Sequence, residues 1–303
     1  MKAIINNNKT ISGSKSFILA SKVKDYFQLI KFTLSFMVVF STVISYLLAP
    51  DVVFDLLRVL LLFIAGMLIT GSANAINQAL EKQTDSLMKR TASRPVSSGR
   101  MSVNEAYSFA FISGAAGVGM MWYFFNFQSA AISLFCIFLY GFIYTPLKKI
   151  NSVAVLVGAL PGALPCLIGW VAATDEMSAG GWILFAIQFL WQFPHFWAIA
   201  WVAHTDYSRA GFKLLPSDKG PTKFTALQSV MYSVMMIPVG LLPYYFKISG
   251  MESMIIILLC NLAMVFLCIR LYRTMSVKSA RMVMFGSYFY LMIVFLSMYA
   301  NKL

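Results

Sequence analysis

Residues 53–85 read VFDLLRVLLLFIAGMLITGSANAINQALEKQTD. Apart from Asp55 and Arg58 near its start, the stretch stays apolar or small through Ala73. That is enough for an α-helix to cross the roughly 30 Å hydrocarbon core of a bilayer. Its end turns polar, and Asn77, Glu81 and Asp85 recur every four residues. This period places three oxygen-bearing side chains along one face of a helix as it leaves the membrane. A span that ends in stacked acids decides the fold class, all-α and polytopic, and marks where chemistry is to be sought.

The rest of the chain repeats the span. Apolar runs fall at 32–50, 53–79, 104–124, 127–145, 152–173, 180–203, 224–245, 253–273 and 281–300, which predicts about nine transmembrane helices. Composition agrees: 59% of the 303 residues are hydrophobic and 12% charged, against about 25% charged in soluble domains. Lipid must therefore be part of the solvent. A net charge of +13 would suit nucleic acid only on a soluble basic face, and here the charges sit in short gaps between spans. Cys136, Cys166, Cys260 and Cys268 all lie in apolar segments with no CxxC pair, as buried thiols do.

Lys and Arg set the orientation. Six lie in residues 1–31, five in 80–103, two at 148–149, four in 204–223 and four in 270–281, leaving Arg58, Lys247 and Lys302 for the other side. By the positive-inside rule the first group is cytoplasmic. Residues 1–31 then read as a basic cytoplasmic tail, 32–303 as one transmembrane domain, and the C-terminus falls outside. The long charged connectors 80–103 and 204–223 are where the unusual chemistry belongs.

In the first connector, basic residues follow the acids at once: Lys89, Arg90, Arg94 and Arg100, with Pro95 and Gly99 turning the chain. Carboxylates for Mg²⁺ and guanidinium groups for phosphate oxygens are together what a departing diphosphate needs. The competing reading is a solvated helix end of mixed charge. Tyr144 and Lys148 sit one turn apart at the end of the fourth run, suited to a carbocation and a phosphate, or to an interfacial belt and topology. Gln188, Gln192 and His195 are polar residues at helical spacing in an aromatic span, where polar groups are kept for function or for helix–helix hydrogen bonds. Asp206, in the second connector, is a candidate metal ligand opposite Asp85.

These residues resemble the UbiA superfamily of membrane prenyltransferases. Asn77-xxx-Glu81-xxx-Asp85 with Arg90 and Arg94-Pro95 is similar to its first acidic motif. Within the superfamily the chain is most similar to the protoheme IX farnesyltransferase (heme O synthase) family. The carriers are Tyr144-Thr145-Pro146-Leu147-Lys148, the Gly158–Pro165 run with Gly169-Trp170, Trp191-Gln192-Phe193-Pro194-His195-Phe196-Trp197, and Asp206-Tyr207-Ser208-Arg209-Ala210-Gly211. The chain departs from the pattern at Glu81 (usually Asp), at Thr205 beside Asp206, and at Lys31-Phe32-Thr33 in place of Lys-Pro-Arg.

The resemblance implies helices around a central cavity open to the cytoplasm and the bilayer of the cell inner membrane. It implies transfer of farnesyl from farnesyl diphosphate to the 2-vinyl group of heme b, giving heme O, with heme A synthase or terminal-oxidase assembly factors as partners. It also implies Mg²⁺ held by Asn77, Glu81, Asp85 and Asp206, Tyr144 at the cation, and substrate contacts from Arg90, Arg94, Lys148, Gln192 and His195. Two other readings compete. A sibling enzyme acting on an aromatic acid or quinone precursor calls for a pocket arginine within the spans, and the arginines there sit only at span ends. A transporter calls for charges deep in the spans, whereas the carboxylates collect at a rim.

Overall fold

The long apolar runs become helices because nothing else satisfies every backbone group in lipid. The computed structural model describes residues 21–217 and 220–303. Lys2, Lys9, Lys15, Asp218 and Lys219 thus lie outside the described residues, as does most of the expected tail. The helices are α1 Ser21–Leu29, α2 Phe32–Leu48, α3 Leu56–Leu80, α4 Lys82–Leu87, α5 Val103–Phe124 and α6 Phe127–Phe138. A π-helical turn, Leu139–Tyr144, leads into α7 Thr145–Leu147. Then follow α8 Ala154–Thr174, α9 Ala179–Val202, α10 His204–Arg209, α11 Lys223–Tyr245, α12 Met251–Thr274 and α13 Val277–Ala300. No strand occurs among the described residues.

Seven stretches, with α6 through α7 counted as one, are long and apolar enough to cross a membrane, or eight if the bent pair α1–α2 counts as one. The nine expected spans are not all matched, since α5, at the expected 104–124, is not among those stretches. Ser108, Ser113, Gly114, Gly117 and Gly119 dilute it, and small residues there let α5 lie close on α3. At Gly117 a Cβ would come within 3.0 Å of the Ala65 carbonyl oxygen.

Residues 21–29, read above as tail, form a packed helix instead. Leu29 and Asp25 are buried, and the chain bends by 49° between α1 and α2. Lys31 takes up the bend in the left-handed region, φ 50°. The carbonyls freed by the break find donors on α3: Asn74 Nδ2 donates to Ile30 O at 3.1 Å, and Gln78 Nε2 to Gln28 O and Leu29 O at 3.0 and 2.9 Å.

Helices α8 and α9 are apolar on all sides and buried on most, which puts them at the centre. Pro165 removes the donor for the Pro161 carbonyl, and the Cys136 thiol takes its place at 3.4 Å. Gly169 lets α8 touch α2, where any Cβ would strike the Thr42 carbonyl. The bundle has two distinct ends. At one, Lys302 Nζ donates to the carbonyls of Leu47, Ala49 and Val52 at 2.8, 2.7 and 3.2 Å. At the other lie α1, α4, α7, α10 and the connectors between them.

Candidate active site

The stack of acids survives the end of its helix. Glu81 lies between α3 and α4, yet Glu81 N–H still donates to Asn77 O at 3.0 Å and Asp85 N–H to Glu81 O at 2.7 Å. The three side chains therefore stay on one face, and Asn77, Glu81 and Asp85 are 1%, 4% and 1% exposed. Buried carboxylates are tolerated only when partnered. Each partner here comes from a different element. Arg94 Nη1, from the connector after α4, meets Asp85 Oδ2 at 2.7 Å. Lys148 Nζ, from the end of α7, meets Glu81 Oε1 at 2.5 Å. Lys31 Nζ, from the α1–α2 bend, donates to Asn77 Oδ1 at 2.8 Å.

The connector 88–101 is folded against this face. Thr91 Oγ1 donates to Asp85 O at 2.9 Å, and Gly99 turns the chain at φ 79°. Arg100 fastens it to α1: Nε donates to Asp25 Oδ1 at 2.8 Å, and Nη2 to Gln28 Oε1 and back to Ser93 O, each at 2.9 Å. Arg90 reaches across to the second connector, where Nη2 donates to Tyr207 OH at 3.2 Å.

The π-helical turn matters because it holds Tyr140, Tyr144 and Lys148 on one cavity wall. The Tyr140 and Tyr144 rings are 5.3 Å apart, and Lys148 Nζ lies 4.7 Å from the Tyr144 centroid and 5.4 Å from that of Phe212. These groups enclose a cavity of about 640 Å³. Its floor is charged, its walls are aromatic, and its lip carries exposed Phe27, Phe32 and Leu34.

Asn77, Glu81, Asp85, Arg90, Arg94, Tyr144 and Lys148 all line the cavity. Three expected residues do not. Asp206 lies beside Arg209 at 3.6 Å on α10, and its neighbour Tyr207 faces the cavity in its stead. Among the described residues no three acids, cysteines or histidines gather as a metal site. Gln192 Nε2 donates to Ala159 O at 3.0 Å, joining α9 to α8. His195 Nδ1 bonds Ser287 Oγ on α13 at 2.7 Å, and its ring stacks on Trp191 at 4.6 Å. Both make the helix–helix contacts of the competing reading, while Phe196, the next residue, lines the cavity.

Lys31, Tyr140 and Phe212 also line the cavity and were not singled out. Tyr140 carries a signal, since Tyr140, Tyr144 and Lys148 share a four-residue period. Lys31 reads from sequence as a topology charge and as the start of the Lys31-Phe32-Thr33 stretch, with no role at the site attached to it.

The donor set fits a magnesium ion. Mg²⁺ takes one or two carboxylates and fills its shell with water and substrate phosphate. Glu81 and Asp85 supply the carboxylates, and buried Asp85 Oδ1 has no hydrogen-bond partner of its own. A hard cation would satisfy that oxygen, and Asn77 Oδ1 completes the row.

Comparison with known proteins follows the same line. The UbiA prenyltransferase family matches residues 38–294. The chain is 44% identical to the protoheme IX farnesyltransferase of Cytophaga hutchinsonii over 285 residues, which cover 94% of this chain and all of that one. It is 42% identical to that of Christiangramia forsetii over 277 residues, covering 90% and 91%. Among solved structures, one concerned with digeranylgeranylglyceryl phosphate synthase superposes with a TM-score of 0.76 at 22% identity, covering 93% and 98% of the two chains. A UbiA homolog from Archaeoglobus fulgidus bound to GPP and Mg²⁺ superposes with a TM-score of 0.68 at 16% identity, covering 90% and 99%. A helical bundle with apolar flanks, an acid row ringed by cations, and relatives matched along nearly their whole length make this chain a multi-pass membrane enzyme that belongs to the UbiA prenyltransferase family, of the protoheme IX farnesyltransferase type.

Proposed function

We propose that the cavity ionises farnesyl diphosphate and adds the farnesyl group to the 2-vinyl of heme b, forming heme O. The observation that carries this reading is the ring Lys31–Asn77, Lys148–Glu81 and Arg94–Asp85 at the floor of an aromatic-walled cavity. The relatives named protoheme IX farnesyltransferase supply the acceptor.

The chemistry divides among the residues. Arg90, Arg94, Lys31 and Lys148 take the diphosphate oxygens as the allylic C–O bond breaks and the bonding pair leaves with the diphosphate. Asn77, Glu81 and Asp85 would hold Mg²⁺, which adds positive charge at the same oxygens. Tyr140 and Tyr144 turn aromatic faces to the farnesyl cation and, with the apolar lip, keep water from it. The vinyl π pair then forms the new C–C bond, and water captures the cation left on the porphyrin side chain, losing a proton. Farnesyl diphosphate, heme b and water thus give heme O, diphosphate and a proton.

The positive-inside rule, applied to the basic end, supports a floor on the cytoplasmic side of the inner membrane, with the C-terminus outside. Heme extraction from membranes with and without the expressed protein tests the reading. A farnesylated heme should appear only with the protein, and only when farnesyl diphosphate and Mg²⁺ are supplied. Prenylation of a phenolic acid or quinone precursor instead would replace the proposed acceptor.

A further inference from the structure

We infer that Thr145 is a positioning residue of this site, which fixes the Asn77 amide so that its oxygen faces the cavity. The inference rests on the functional reading above and adds a residue that touches neither substrate nor metal. Thr145 is 2% exposed and follows directly on the π-helical turn. Its hydroxyl donates to Tyr140 O at 2.8 Å. A threonine hydroxyl has one proton, so toward any other neighbour Thr145 Oγ1 can only accept. The neighbour is Asn77 Nδ2, at 3.2 Å.

On its other side the Asn77 amide meets Lys31 Nζ at 2.8 Å, and an ammonium can only donate. An amide held between an obligate acceptor and an obligate donor has one satisfied orientation, NH₂ toward Thr145 and oxygen toward Lys31. That orientation aligns Asn77 Oδ1 with the carboxylates of Glu81 and Asp85, which line the same cavity. It also explains an amide in a row of acids, because a carboxylate there would offer Thr145 Oγ1 no donor. Without the Thr145 hydroxyl, the buried Nδ2 loses its partner and only Lys31 is left to hold the amide oxygen in line with the acids.

The test uses the full chain in detergent, with Mg²⁺ titrated calorimetrically in the presence of farnesyl thiodiphosphate, an analogue that ionises poorly. Thr145→Val should weaken apparent Mg²⁺ affinity about tenfold, the scale of one lost hydrogen bond to a buried group. Thr145→Ser should stay within about twofold of wild type, since it keeps the hydroxyl. Asn77→Ala should weaken affinity at least as much as Thr145→Val, and adding Thr145→Val to it should change nothing further, because Thr145 acts through Asn77. If Thr145→Val does not fold, Thr145→Ala carries the same expectation. Wild-type Mg²⁺ affinity in a folded Thr145→Val or Thr145→Ala, or an additive double variant, overturns the inference alone. A wild type that binds the analogue with no dependence on Mg²⁺ overturns the functional reading and the inference together.

Discussion

Two helical faces carry polar side chains at helical spacing, and they use them differently. On α3 and α4, Asn77, Glu81 and Asp85 face charged groups from three other elements across an open cavity. On α9, Gln188, Gln192 and His195 bind Gly162 O, Ala159 O and Ser287 Oγ, all on neighbouring helices. The first set is assembled around a space, the second is consumed in closing one. Spacing puts side chains on a common face, but the partner decides whether that face is a site or a seam. The string around His195 is the most distinctive in the sequence, yet Trp191 Nε1, Gln192 Nε2 and His195 Nδ1 are engaged with α13 and the proline-interrupted α8.

The sharpest way to break this contrast is to remove one member of the first set. Asp85→Ala should lower farnesyl transfer about 1,000-fold or more, since it removes a ligand and leaves Arg94 without its partner. Heme analysis of membranes, alongside size-exclusion of the purified variant, would show lost product from an intact protein. Retained transfer would mean that the acid row is not the metal site.

Arg100→Lys should have a smaller, more selective effect. Lysine cannot reproduce a fork that reaches Asp25, Gln28 and Ser93 together. The connector that presents Arg90 and Arg94 would loosen, and KM for farnesyl diphosphate should rise about tenfold with kcat nearly unchanged. A variant that loses only thermal stability would make Arg100 a surface brace.

On the α9 side, Gln192→Leu should leave kcat/KM within about twofold while lowering Tm by about 2–4 °C, as expected for one interhelical hydrogen bond in a chain of this size. A large kinetic defect with an unchanged Tm would return Gln192 to the substrate.

Much of the fold was legible because lipid imposes a simple rule, and unbroken apolar length announces a helix. The acid row was legible for a related reason, since a four-residue period of Asn, Glu and Asp is hard to place anywhere but a helix face. What stayed hidden depends on docking. Residues 21–29 hold two lysines and an aspartate, so they read as tail, and their helix gains its meaning only when α3 amides cap its end. Lys31 is silent for the same reason: the bend that aims it lies between two helices packed on a third. Asp206 looked equivalent to Asp85, but α10 turns Tyr207 rather than Asp206 to the cavity.

The self-paired floor has a consequence for turnover. Each of Lys31, Lys148 and Arg94 already has an internal partner before any ligand arrives. In the proposed reaction, capture of diphosphate is therefore a trade of two ion pairs and a hydrogen bond for new ion pairs, and affinity reflects the small difference between the two sets. The spent diphosphate can leave as the cations fall back onto Asn77, Glu81 and Asp85, which spares the empty enzyme a trio of bare charges in a low-dielectric hollow.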